Sequence, residues 1–341
     1  MTFLAWGISL ASIALMLIRP KGISEYIWVC GAAILLIITG LLPLKNAAHA
    51  IYEGLDVYLF LTGMMLLAEM ARYEGVFGWV ADIAVHHANG SAAKLFLLIY
   101  LAGTIVTVLL SNDATAVVLT PAVLAAVRRA NVEPRPYLLT CAFIANTASF
   151  VLPISNPANL VIFGEKLPAL APWLHMFLLP SFVSIVVTFL CLRFMERKDL
   201  RGTVEAVAER VNLTAGGRIT LAGIAIAAGV LLTASAFGIS LGAPTFAVGV
   251  LALVLLAFRD RQAPTKIIKG ISWSVLPLVA GLFMIVEALN RAGMLRLTLK
   301  GFSWLAQSPD DYGKFIAGGA VALVSNIMNN LPVALASGTA L

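Results

Sequence analysis

Runs without a charged side chain recur along the whole chain, at 2–18, 26–44, 95–112, 136–164, 167–192, 219–258, 270–286 and 315–341. Most reach or exceed the roughly 18 residues that an apolar helix needs to cross a bilayer. The pattern predicts an all-α polytopic membrane protein. In the first part of the chain, complete crossings fall at 2–18, 26–44, 56–72, 136–164 and 172–193. The segments 73–88 and 294–307 mix polar residues with Phe77, Trp79, Phe302 and Trp304, as helices lying in the membrane interface do.

Two stretches do not read as simple crossings. Residues 95–127 hold one charge, Asp113, and as a single helix would span about 50 Å against a hydrocarbon core of about 30 Å. Folding back at Ser111-Asn112-Asp113 resolves this and predicts a re-entrant hairpin over 93–128. In 136–164, Asn146-Thr147-Ala148-Ser149 precedes Pro153-Ile154-Ser155-Asn156-Pro157-Ala158-Asn159. Proline removes a backbone donor and disfavours helix in the residue before it, so this crossing is predicted to be broken.

The chain also repeats itself. Val57–Gly75 matches Val275–Gly293 at an offset of 218, pairing Gly63 with Gly281, Glu69 with Glu287 and Gly75 with Gly293. The same offset sets Asn112 on Asn330, within Ser325-Asn326-Ile327-Met328-Asn329-Asn330-Leu331-Pro332. A first repeat over 1–198, a linker over 199–217 and a second repeat over 218–341 follow. The second copy lacks a counterpart of 124–198, so about 75 further residues are expected beyond 341. Five crossings per copy make the second copy enter the membrane inverted.

With the N-terminus outside, 17 of the 23 Lys and Arg residues fall on the cytoplasmic side, the asymmetry that the positive-inside rule demands. Composition agrees: 60% of residues are hydrophobic and 12% charged, where a soluble domain carries about 25% charged residues. Met1-Thr2-Phe3 is uncharged and the first run ends at Arg19-Pro20-Lys21, so the first segment reads as a retained helix in an inner membrane, not as a signal peptide. Cys30, Cys141 and Cys191 lie in separate runs and form no disulfide or metal framework. No GxxxxGK[ST] loop, HExxH pair or GxSxG elbow is present, so the chain is not read as an enzyme or as a user of cofactors.

Broken backbone persists in a membrane only where it is buried in protein or lines a polar cavity. One Asn or Ser reads as glue between helices, but two tips and an Asn-Pro break point to a binding site. The predicted site comprises Asn112, Asp113 and Thr115 of the hairpin, Asn146, Thr147, Ser149, Ser155, Asn156 and Asn159 of the broken helix, and Asn329 and Asn330 of the second tip. Asp113 is the acidic residue inside the long uncharged runs, and is read both as the proton-coupling carboxylate and as the N-cap of a returning helix that begins at Ala114. Glu69 and Glu287 read as anchors or contacts near helix ends, and His86 and His87 as solvated.

At these residues the chain resembles the arsenite efflux permease family of the ion transporter superfamily. The resemblance runs through Arg19-Pro20-Lys21-Gly22, Ser111-Asn112-Asp113-Ala114, Leu119-Thr120-Pro121, Phe143-Ile144-Ala145-Asn146-Thr147-Ala148-Ser149 and the second tip. It implies proton-driven export of arsenite or antimonite by an elevator motion, in some members with an arsenite-stimulated ATPase subunit, and a homodimer. Many members carry Asp where this chain has Asn146, so coupling would fall to Asp113 or to a segment past 341. The alternatives are a sodium-coupled carboxylate transporter, a sodium/proton antiporter, and a membrane scaffold or inactive fragment that transports nothing.

Overall fold

A computed structural model describes residues 2–156, 158–159, 163, 167–204, 212–293, 316, 319 and 323. The second hairpin tip, with Asn329 and Asn330, and the segment 294–307 lie outside them.

The described residues form an all-α membrane protein. The helices are α1 (Thr2–Ile18), α2 (Glu25–Ile38), α3 (Leu44–Glu53), α4 (Leu55–Tyr73), α5 (Val76–His87), α6 (Ala92–Leu109), α7 (Thr120–Arg129), α8 (Arg135–Thr147), α9 (Leu170–Met195), α10 (Ala215–Ala236), α11 (Gly242–Arg259), α12 (Ala263–Gly270) and α13 (Val275–Arg291). Among the described residues five spans are long and apolar enough to cross a membrane, and six if α3 and α4, bent by 47°, count as one.

Some boundaries differ from those the hydropathy predicts. The run 26–44 is not one helix: α2 ends at Ile38, the chain turns through Gly40 at φ +69°, and α3 begins at Leu44 after Pro43. Glycine takes that left-handed conformation without the Cβ penalty, and proline suits a helix start. The helix in 136–164 stops at Thr147, and a short 3-10 turn follows at Pro153–Ser155. Helix α5 is no free interfacial segment, since Val76, Phe77, Ala81, Ala84 and Val85 are buried and it packs on α6 and α7.

The chain divides into two compact units. One contains α1–α3 and α13, with α2 against α13 at its centre. There Gly281 lies so close to α2 that a Cβ on it would sit 2.7 Å from Val29 Cγ1. Trp6 Nε1 donates to the Ala292 carbonyl at 3.4 Å, and Asn46 Nδ2 donates to Glu287 Oε1 at 3.2 Å.

The other unit contains most of α4 and α5–α12. Helix α4 crosses α11 at Gly63, where a Cβ would lie 2.5 Å from the Thr245 carbonyl oxygen. Buried Glu69 accepts from Arg72 Nε at 2.7 Å. In the same unit α6 packs on α8, and α8 on α9. Phe96, Tyr100 and Phe189 make an aromatic contact between α6 and α9, with Phe96 and Phe189 rings 5.6 Å apart. Tyr100 also donates to the Ile185 carbonyl at 2.6 Å.

Candidate functional site

Helix α6 ends at Leu109 and helical geometry resumes at Asn112, so the reversal occupies Leu110 and Ser111. Side chains on the two limbs meet at equal distances from it. Thr107 and Thr115, each four residues from Ser111, share a hydroxyl hydrogen bond of 2.8 Å. Leu119 Cδ2, eight residues beyond, lies 3.8 Å from the Cβ position of Gly103, eight before. The limbs are therefore antiparallel neighbours.

The returning limb opens with a wide π-helical turn, Ala114–Leu119. Pro121 has no N–H to donate and its ring crowds the preceding turn, which favours the wider geometry. The Thr115 carbonyl accepts from both the Thr120 backbone N–H and the Thr120 hydroxyl, the latter at 3.0 Å.

Asp113 does not cap this limb. Its backbone is already helical, at φ −67° and ψ −40°, and its side chain makes no capping bond, whereas a capping residue needs extended backbone. The Ser111 hydroxyl accepts the Ala114 N–H at 3.2 Å instead. Asp113 is exposed, while its neighbour Asn112 is half-buried with a fully enclosed Oδ1 that has no hydrogen-bond partner among the described residues.

The break after α8 lies against the outgoing limb. The Ser155 hydroxyl donates to the Val108 carbonyl at 3.0 Å and accepts the Leu152 N–H at 3.2 Å. Asn159, itself buried, directs Nδ2 at three carbonyls, those of Ser149 and Pro153 at 3.2 Å and of Leu152 at 3.4 Å. These oxygens lie in the stretch where the helix is interrupted, and one amide gathers them, the Leu152 carbonyl also accepting the Ser155 N–H at 3.1 Å. Asn156 Oδ1 accepts the Ala158 N–H at 2.9 Å, Ser149 donates to the Asn146 carbonyl at 2.7 Å, and Thr147 donates to the Phe143 carbonyl at 3.0 Å. Asn146 is exposed.

The predicted residues thus divide by what their polar atoms do. Thr115 bonds the facing limb, Thr147 bonds its own helix, and Ser149, Ser155 and Asn159 hold the irregular backbone. Asn112, Asp113 and Asn146 keep polar groups with no protein partner among the described residues, and Asn156 keeps its Nδ2. Pattern reasoning missed Thr107, Ser111, Thr120 and the Val108 carbonyl. The equal spacing of Thr107 and Thr115 about the reversal was the signal for the first of these.

A family model described as citrate transporter matches residues 13–341. The chain belongs to that family. Curated relatives align over almost its full length. It is 26% identical to an arsenical pump membrane protein of Escherichia coli strain K12, over 97% of this chain and 79% of the relative. It is 24% identical to a putative arsenical pump membrane protein of Bacillus subtilis, over 94% and 78%. An uncharacterized transporter of Mycobacterium tuberculosis is 25% identical over 81% and 65%. This member of the citrate transporter family is accordingly a multi-pass membrane transporter of the ion transporter superfamily.

The candidate site is poor in charge. Between Lys94 and Arg128 the one charged side chain is Asp113, and from Pro136 to Gly164 there is none. Among the described residues no cluster of His, Cys, Asp and Glu has the arrangement of a metal site.

Proposed function

We propose that this protein exports arsenite or antimonite across the inner membrane, taking up a proton in exchange. Its repeats are inverted about the membrane plane, the hairpin reaches mid-membrane, and the transported solute meets Asn112 at the hairpin tip beside the break at Asn156. The observation that carries the reading is Asn112 Oδ1, enclosed and without a donor among the described residues, in a site that lacks a fixed cation. An unpaired buried carbonyl costs about 1–3 kcal/mol, and a ligand hydroxyl satisfies it. Arsenous acid is neutral near pH 7 and offers three such hydroxyls. Asp113, one residue along, supplies the titratable carboxylate, and the hairpin and break move together as an elevator body. The arsenical pump names of the relatives support the same substrate.

A second reading follows from the description of the family as citrate transporters. A tricarboxylate brings acceptors where this site offers an acceptor, although helix termini can bind anions without arginine. Arsenite accumulation in cells that lack their own exporter separates the two. The proposal expects lower arsenite in cells expressing the protein, independent of sodium. Unchanged arsenite together with sodium-dependent citrate uptake would establish the second reading instead.

A further inference from the structure

The end of α9 combines an uncovered apolar face with a fixed group of cations. Most of α9 is exposed, and Phe182, Val186, Leu190 and Phe194 recur at a spacing of four along it, exposed by 64%, 36%, 56% and 67%. Four-residue spacing keeps side chains on one face, so the stripe covers about 18 Å of helix. It runs directly into Arg193, Arg197, Lys198 and Arg201, all exposed. None of these four has a carboxylate partner among the described residues.

The two acids in this stretch are engaged elsewhere. Buried Glu196 takes two hydrogen bonds from Arg135 Nη2, at 3.0 and 2.8 Å, and one from Nε at 3.1 Å, while Asp199 lies 3.8 Å from the same guanidinium. The backbone that carries the cations is anchored as well. Leu200 is buried, Ala92 donates to the Gly202 carbonyl at 3.4 Å, and Val204 donates to the Gly90 carbonyl at 3.0 Å. Arg197 stacks over Phe194 at 4.8 Å, which joins the charged end to the apolar stripe.

We propose that this surface binds an anionic phospholipid, its acyl chain along Phe182–Phe194 and its phosphate among Arg193, Arg197, Lys198 and Arg201. Basic clusters where a membrane helix leaves the bilayer attract anionic headgroups. A second copy of the chain related by a two-fold axis would bring the same four cations together, whereas a headgroup neutralises them. This lipid site does not depend on which solute is transported.

The test is retention of fluorescent phosphatidylglycerol by the purified full chain in neutral detergent. Wild type is compared with R193Q/R197Q/K198Q/R201Q and with a control of equal charge loss, R128Q/R218Q/R259Q/R261Q. Each surface cation contributes about a fivefold factor, so retention by the first variant is expected to fall by more than about tenfold, with the control near wild type. Both variants should match wild type in circular dichroism and melting without lipid. An equal fall in both variants, or no fall in either, overturns the site. Displacement of the lipid by soluble glycerol phosphate at matched concentration overturns the role of the acyl chain.

Discussion

Gly63 and Gly281 occupy equivalent places in the repeated segment, and each lets one helix press onto another, yet they meet different surfaces. Around Gly63 the contact is backbone on backbone. A Cβ there would stand 2.5 Å from the Thr245 carbonyl oxygen and 2.8 Å from the Phe246 nitrogen, and one on the facing Gly249 would stand 2.9 Å from the Gly63 oxygen. Around Gly281 the nearest atom is a side-chain methyl of Val29, and the nearest backbone is 3.4 Å away. Gly31, which the offset pairs with Gly249, has nothing within 4 Å. The resemblance extends further, since α1–α4 shifted by 218 fall on α10–α13. Similar elements can therefore pack with very different tolerance: the α4–α11 crossing has no atom that can yield, and the α2–α13 crossing has one.

The largest expected effect follows from that difference. Gly63→Ala forces two backbones apart, and should destabilise the protein by about 3 kcal/mol or more, at the upper end of overpacking costs. Loss of the folded peak and a lower melting temperature in detergent would register it. Gly281→Ala should cost about 1 kcal/mol, and Val29→Ala in the same chain should recover most of the loss. No second substitution that trims a side chain at the α4–α11 crossing should rescue Gly63→Ala. Equal sensitivity of the two glycines would break the comparison.

The paired glutamates sharpen it at a smaller scale. Glu69 sits against Gly270 and is paired with Arg72, whereas the offset puts Asn290 in place of Arg72, and Glu287 takes its hydrogen bond from Asn46. Asn46→Ala should therefore cost about 1 kcal/mol, measured by melting, and Glu287→Ala combined with it should add little. A fully additive double variant would show that the pair does not interact.

The smallest effect concerns the corners before α3 and α12. Buried Leu42 makes the first, donating its N–H to the Leu36 carbonyl at 3.0 Å. Asp260, its equivalent at the second, is held below the usual carboxylate range by the Gln262 N–H and then by the Tyr73 hydroxyl, at 2.9 Å each. A depressed carboxylate contributes stability above its unfolded pKa of about 3.9, and that contribution is lost as pH falls through the lower folded value. Proteolysis at 259–263 should consequently increase below about pH 4, Asp260→Asn should remove the pH dependence, and cleavage at 39–43 should not change.

Hydropathy made the helical class legible, because lipid demands long apolar runs whatever the packing. The short α3 and α12 escaped it, as an apolar run does not reveal the turn at Gly40 within 26–44. At the candidate site the polar residues stood out as interruptions of apolar runs, but what each of them bonds did not. Asp113 reads as a cap by residue type, and its helical backbone gives that role to Ser111. Asn159 reads as a ligand, but the carbonyls it gathers are set by a break whose path no local pattern encodes.

The proposed export requires Asn112 to meet the transported solute at the hairpin tip. Arsenite accumulation in exporter-deficient cells, compared between wild type and Asn112→Ala at equal membrane abundance, tests it most directly. Wild type should lower intracellular arsenite and the variant should return it to the level of cells without the protein. Full export by the variant, or no effect of wild type, would contradict the account.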